Sequence, residues 1–218
     1  MPDPITPVEA RILGALVEKQ LTTPEYYPLT LNALVNACNQ KNNRDPVMTL
    51  SENDVSTAIE HLRDRNLVYV FYGSTSRVPK YKHMLPTYYD LEPAEVAIIA
   101  VLLLRGPQTV GELRERTGRM HEFSGLDEVQ HTLNSLAARE DPPVQRLDRL
   151  PGQKDARFVQ LLTGPVDPDA IAAVHPTRAH ASESTNDRIT KLEAEVVRLT
   201  AEINEMRDTF TDFRNQFE

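Results

Sequence analysis

The chain has 218 residues with 24 basic and 32 acidic side chains, a net charge of −8 and a pI of about 5.3. That length suits two small domains of roughly 80 residues plus an extension, and the acidity argues against nucleic-acid binding through bulk charge. No run approaches the roughly 20 apolar residues of a membrane helix, MPDPITPVEA lacks the basic-then-apolar pattern of a secretion leader, and the single Cys38 excludes an internal disulfide and suits a reducing cytoplasm.

Thr6, Pro7 and Glu9 open the first predicted helix as a capping box, with proline where its missing N–H is harmless. Val8, Ile12, Leu13 and Leu16 follow at helical spacing. LTTPEYYPLT, with two prolines, is a connector. Thr30 caps a second helix whose inner face is Leu31, Leu34, Val35 and Cys38. NQKNNRDPVMT, Asn39 to Thr49, is a long polar turn. A third helix opens at Ser51 with Asp54 completing a box and buries Val55, Ile59 and Leu62. LVYVFYG and KYKHM then read as two strands around the tip GSTSRVP.

The same order of parts recurs. TPVEARILGAL aligns with EPAEVAIIAVL, TLNALVNA with TVGELRER, and NDVSTAIEHL with DEVQHTLNSL. In the second copy Pro93 and Glu95 open the first helix, Val96, Ile98, Ile99, Leu102 and Leu103 give it an apolar face, and Gly106-Pro107 ends it. Thr109 with Glu112, and Ser124 with Asp127, read as further capping boxes. PVQRL and ARFVQLL are the strands, with LPGQK at their tip. Three helices and a hairpin, twice over, predict two tandem winged helix-turn-helix domains, a mainly α fold with small β-hairpins, over residues 1–85 and 86–162.

Residues 163–184, rich in proline and small side chains, read as a linker. From there to residue 218 the seam Ile189, Leu192, Val196, Leu199, Ile203, Met206, Phe210, Phe213, Phe217 keeps a strict 3-4 spacing. β-branched residues at a and Leu or Met at d predict a parallel two-stranded coiled coil, hence a dimer. Each such side chain is worth roughly 1.5–3 kcal/mol when buried, so the helix needs a partner. That partner is a second copy or, for the terminal phenylalanines, the chain's own body.

Catalytic chemistry finds no constellation here, and no enzyme activity is expected. The eight glycines form no phosphate-cradling loop, there is no CxxC pair, and the six histidines lack metal-ligand spacing. His121 and Glu122 sit together in a loop, where a solvated pair is the plain explanation. No cofactor or metal is predicted.

Binding is the better question. The face of the third helix opposite its apolar stripe holds Asn53, Thr57, Glu60 and Asp64, flanked by Ser56 and His61. Asn53, Ser56 and Thr57 suit base-edge hydrogen bonds, whereas the carboxylates oppose phosphates. Its counterpart offers Asp127, Gln130, His131 and Asn134. Cations cluster elsewhere: Lys41 and Arg44 in the polar turn, Arg77, Lys80 and Lys82 on the first wing, and Arg146, Arg149, Lys154 and Arg157 on the second. Net charge is zero over residues 1–85, −3 over 86–162 and −5 over 163–218, which favours the first domain as reader.

EKQLTTPEYYPLTLNALVNACNQKNNRDPVMTLSE, residues 18 to 52, resembles the signature of the bacterial YceH family, and EPAEVAIIAVLLLRGPQTVGELRERTGRMHEF resembles that family's second block. The likeness covers about residues 5–162 and leaves out the heptad tail. It implies two winged-helix domains and no settled activity. The turn CNQKNNRDP lies inside the signature, which makes Asn39, Gln40, Lys41, Asn43 and Arg44 candidates for a binding surface. Alternatively, the turn hydrogen-bonds an interface between the domains. The expected function is that of a dimeric cytoplasmic protein that binds double-stranded DNA as a transcriptional regulator. A protein–protein adaptor with no DNA contact is the alternative.

Overall fold

The computed structural model describes residues 3–72, 78–149 and 155–165, together with Glu195, Arg198, Leu199, Thr200 and Arg207. The chain divides into two units, Met1–Ile171 and Ala172–Glu218. The first is mainly α with two small antiparallel sheets.

Its first half runs α1 (Pro7–Thr22), β1 (Leu29–Thr30), α2 (Leu31–Cys38), α3 (Glu52–Asp64), β2 (Val68–Tyr72) and β3 (Pro79–His83). The second runs α4 (Leu85–Tyr89), α5 (Pro93–Arg105), α6 (Val110–Thr117), α7 (Leu126–Ala137), β4 (Val144–Arg146) and β5 (Phe158–Gln160). Setting α4 and β1 aside, both have the element order that the internal repeat predicts. The caps lie where the residue types demand: Thr6 with Glu9, Ser51 with Asp54 and Thr109 with Glu112 each form a reciprocal box.

Three details depart from the sequence reading. A two-residue strand, β1, joins the hairpin in the order β1-β3-β2, and a Gln108–Phe158 bridge stands in the same place in the second half. Runs this short leave no alternation to read. A short helix, α4, follows β3. The box expected of Ser124 and Asp127 does not form; instead Glu128 Oε2 accepts from the Ser124 amide and hydroxyl, both at 2.7 Å. Gly125 takes the N-cap position, so the third helical residue is Glu128.

One apolar cluster runs through both halves, built on Leu13, Leu16, Ile59, Leu62, Ile98, Ile99, Leu133 and Phe158. At its centre α1 packs on α5. Val96 through Leu104 are all buried, so α5 is covered on every side, as its continuous VAIIAVLLL run requires. Gly14 permits the close approach: a Cβ there would stand 2.8 Å from Leu104 Cγ. Cys38, fully buried at the end of α2, has its thiol pushed up to about 12 by burial.

In the second unit Glu195, Arg198, Leu199, Thr200 and Arg207 are helical, and Arg198 pairs with Glu195 at 2.6 Å. Leu199 is 44% exposed within this chain. The other predicted seam residues, Ile189, Leu192, Val196, Ile203, Met206, Phe210, Phe213 and Phe217, lie outside the described residues. So does nearly all of the expected linker.

Candidate nucleic-acid interface

Helix α3 buries Val55, Ala58, Ile59 and Leu62, and this fixes the opposite face. Asn53, Thr57, Glu60, His61 and Asp64 are exposed and Ser56 is half-buried. Two polar side chains suited to base edges, Asn53 and Thr57, therefore reach solvent near the start of the helix. Acidic Glu60 and Asp64 follow one and two turns later.

The hairpin beside it has two unlike faces. Val68 pairs with His83, and both are buried. Strand alternation then turns the next pair, Tyr69 with Lys82, outward, and likewise Phe71 with Lys80. Tyr69 is 61% exposed and Phe71 45%. Thr30 of β1 lies opposite Lys80 and extends this face. Lys82 and Lys80 are thus the cross-strand partners of exposed Tyr69 and Phe71. Arg77 lies outside the described residues.

The polar turn behaves differently from the binding surface its composition suggested. Arg44 is buried, not solvent-facing. Its guanidinium meets Glu18 Oε2 at 2.6 Å and Oε1 at 3.2 Å, and donates to the Ala37 carbonyl and to Gln40 Oε1. Arg11, 1% exposed, donates to the carbonyls of Cys38 and Pro46. Together the two arginines satisfy the carbonyls of Ala37 and Cys38 at the end of α2. Burial, followed by the charge of Arg44, depresses the Arg11 guanidinium. The Asn39 amide clasps both backbone groups of Leu50, at 2.8 Å each. Asn43 adopts φ 62° and accepts from Arg105, while the Asp45 amide donates to the Leu104 carbonyl at 2.9 Å. The turn therefore closes the first half onto the end of α5. Lys41 remains exposed, as does the backbone around it.

In the second half Asp127, His131 and Asn134 are exposed on α7, and Gln130 donates to Asn134 at 2.9 Å. Arg146 and Arg149 are exposed, but Arg157 turns inward to Glu112 at 2.7 Å and to the Pro107 carbonyl. Lys154 lies outside the described residues. His121 stacks edge-on against Phe123 at 4.6 Å. Among the described residues, no three His, Cys, Asp or Glu side chains are grouped to hold a metal, and no helix is long and apolar enough to cross a membrane.

Sequence reasoning missed the aromatic half of the outward hairpin face. Its signal lay in the alternation of VYVFY, which places Tyr69 and Phe71 on the face opposite buried Val68.

Residues 5–153 match the family described as "Protein of unknown function, DUF480". The chain is 49% identical over 213 residues to the UPF0502 protein GSU0233 of Geobacter sulfurreducens, covering 97% of each chain. A UPF0502 protein of Pelobacter propionicus is 47% identical over 96% of each, and one of Opitutus terrae 56% identical over 74% of this chain and 71% of that protein. The first two alignments are long enough to take in most of the tail, which the resemblance from the two sequence blocks left out. The chain belongs to the DUF480 family, alongside the UPF0502 proteins, in keeping with its YceH-like signature.

Proposed function

We propose that this chain is a dimeric, cytoplasmic DNA-binding protein that acts as a transcriptional regulator, with the first half as reader. The observation that carries the reading is the outward face of the first hairpin. There the register sets Lys82 across from Tyr69 and Lys80 across from Phe71, in the half whose α3 exposes Asn53 and Thr57. Lysines on the wing meet phosphates and fix orientation, while Asn53, Ser56 and Thr57 supply donors and acceptors to base edges. Arg44 leaves the candidate set because its guanidinium is committed to Glu18. Lys41 stays in it. Dimerisation through the tail brings two readers to one duplex and raises effective affinity.

The test is binding to duplex DNA across a salt series. Each phosphate contact contributes a slope of about 0.9 in log K against log salt. Lys80→Ala with Lys82→Ala therefore flattens the slope by about 2, and the chain cut after Ser184 becomes monomeric. Absence of salt-sensitive binding to any duplex at low ionic strength overturns the reading.

A second reading, a protein–protein adaptor, is favoured by one specific observation. Helix α3 carries Glu52, Asp54, Glu60 and Asp64 against Arg63, and α7 carries Asp127 and Glu128 with no lysine or arginine. Exposed Tyr69, Phe71 and Tyr72 then serve as aromatic anchors. In-cell crosslinking that recovers DNA and protein from one sample separates the two. The adaptor reading requires a protein partner lost on Tyr69→Ala with Phe71→Ala, and no enriched DNA.

A further inference from the structure

We propose that the seam between the two halves of the first unit holds a binding site for a small polyanion, one that presents adjacent carboxylate or phosphate oxygens. A cleft of about 410 Å³ opens there, with Thr22 and Asn43 contributed by the first half and Arg105, Glu115, Arg116 and Arg119 by the second. That volume lies in the range of small-molecule sites.

Three guanidinium groups line this one space, and their charge is poorly compensated from within the chain. Arg105 is held by the neutral side-chain amide of Asn43. Arg116 approaches Glu112 only to 3.6 Å. Exposed Arg119 forms no ion pair among the described residues. Glu18 also borders the cleft, but both its oxygens are bound to Arg44. Glu115 is left to face three cations. The Arg105 guanidinium is depressed, first by burial and next by Arg116, and the opposing pull of Glu18 and Glu115 does not cancel this.

An anion with two or more charged oxygens removes that repulsion and matches the planar donor fork of arginine bidentately. The concave wall, with Val101 and Leu104 at its back, suits a compact molecule. Because Asn43 belongs to the turn that closes the first half onto α5, a ligand here touches the joint between the halves. It is placed to act as an effector and lies apart from the wing.

The test is calorimetric titration of the full chain with pyrophosphate and with citrate at constant ionic strength, beside a titration with a duplex. The expected result is one-to-one saturable binding of at least one small anion with Kd below about 1 mM. Arg119→Glu weakens it at least tenfold, and Arg146→Ala, exposed and outside the cleft, leaves it unchanged. Arg119 is exposed and has no ion pair to lose, so its replacement spares the fold; Arg116→Gln gives a second, charge-removing variant with the same expectation. No saturation by either anion up to about 10 mM, or saturation indifferent to both arginine variants, overturns the proposal. If Arg119→Glu weakens only the duplex, the cleft serves nucleic-acid phosphates and the small-anion site is refuted.

Discussion

Arg65 and Arg139 hold equivalent positions in the two halves. Each follows the last helix of its half, and each donates to two consecutive carbonyls just ahead of that half's first long helix. Arg65 binds the carbonyls of Asp3 and Pro4; Arg139 binds those of Tyr89 and Asp90, at 3.0 Å each. The pair differs in one respect. Arg139 also meets buried Glu95 at 2.7 Å, whereas Glu9, in the place of Glu95, faces His61 at 3.6 Å.

That difference sets the first prediction. Arg139→Ala strands a carboxylate whose side chain is 7% exposed and costs about 2–4 kcal/mol. Arg65→Ala removes exposed hydrogen bonds alone and costs about 1 kcal/mol or less. Urea unfolding of the two variants checks the order. Equal losses would mean that the Glu95 pair adds nothing.

Arg44 gives the second. Removing it leaves Glu18 charged and buried and frees the Ala37 carbonyl, so Arg44→Ala loses about 3–5 kcal/mol. Lys41→Ala, in the same turn but exposed, stays within about 0.5 kcal/mol. Glu18→Gln with Arg44→Met loses less than Arg44→Ala, because no lone charge remains. Denaturation midpoints decide, and a fully stable Arg44→Ala protein refutes the structural role.

Gly14 gives the third, and here two effects oppose. Alanine in a helix interior gains about 1 kcal/mol over glycine. Against that, its Cβ would lie 2.8 Å from Leu104 Cγ and 3.2 Å from Leu103 Cβ, and overpacking of this kind costs about 1–3 kcal/mol. Crowding wins, so Gly14→Ala lowers the melting temperature. Gly14→Val, with two further methyl groups at the crossing, lowers it more. A stabilised Gly14→Ala protein would show that α5 shifts freely.

Much of this fold was legible in the residues, and the reason is local. Thr6, Ser51 and Thr109 announce helix starts because a hydroxyl three residues before a carboxylate has one strong use. Val55, Ile59 and Leu62 fix the outward side of α3 by spacing alone. The polar turn left two readings open for a physical reason. A guanidinium beside Asn, Gln and Lys reads as surface, and nothing near it in sequence names Glu18, its distant partner across the fold. Long-range pairing of Arg44 and Arg105 belongs to tertiary structure, as does the cleft. The outward hairpin face lay between these cases: alternation encoded it, but cations alone drew notice.

His83 supplies the last prediction. Its ring is 4% exposed, Nδ1 accepts from the Leu85 amide at 3.3 Å, and burial, followed by Lys82, lowers it to about 4 from an ordinary 6.5. The folded protein therefore resists a proton that the unfolded chain takes up. Between those two values the unfolded state binds more protons, so stability rises with pH and is lost as pH falls from about 6.5 towards 4. The full effect is on the order of 3 kcal/mol at one pKa unit per 1.36 kcal/mol. His83→Asn keeps an acceptor for the Leu85 amide and carries no titrating group. Urea unfolding at pH 7 and pH 5 compares the two proteins. The native chain loses stability over that interval and His83→Asn loses distinctly less; identical pH dependence would show that the ring is protonated without penalty in the fold.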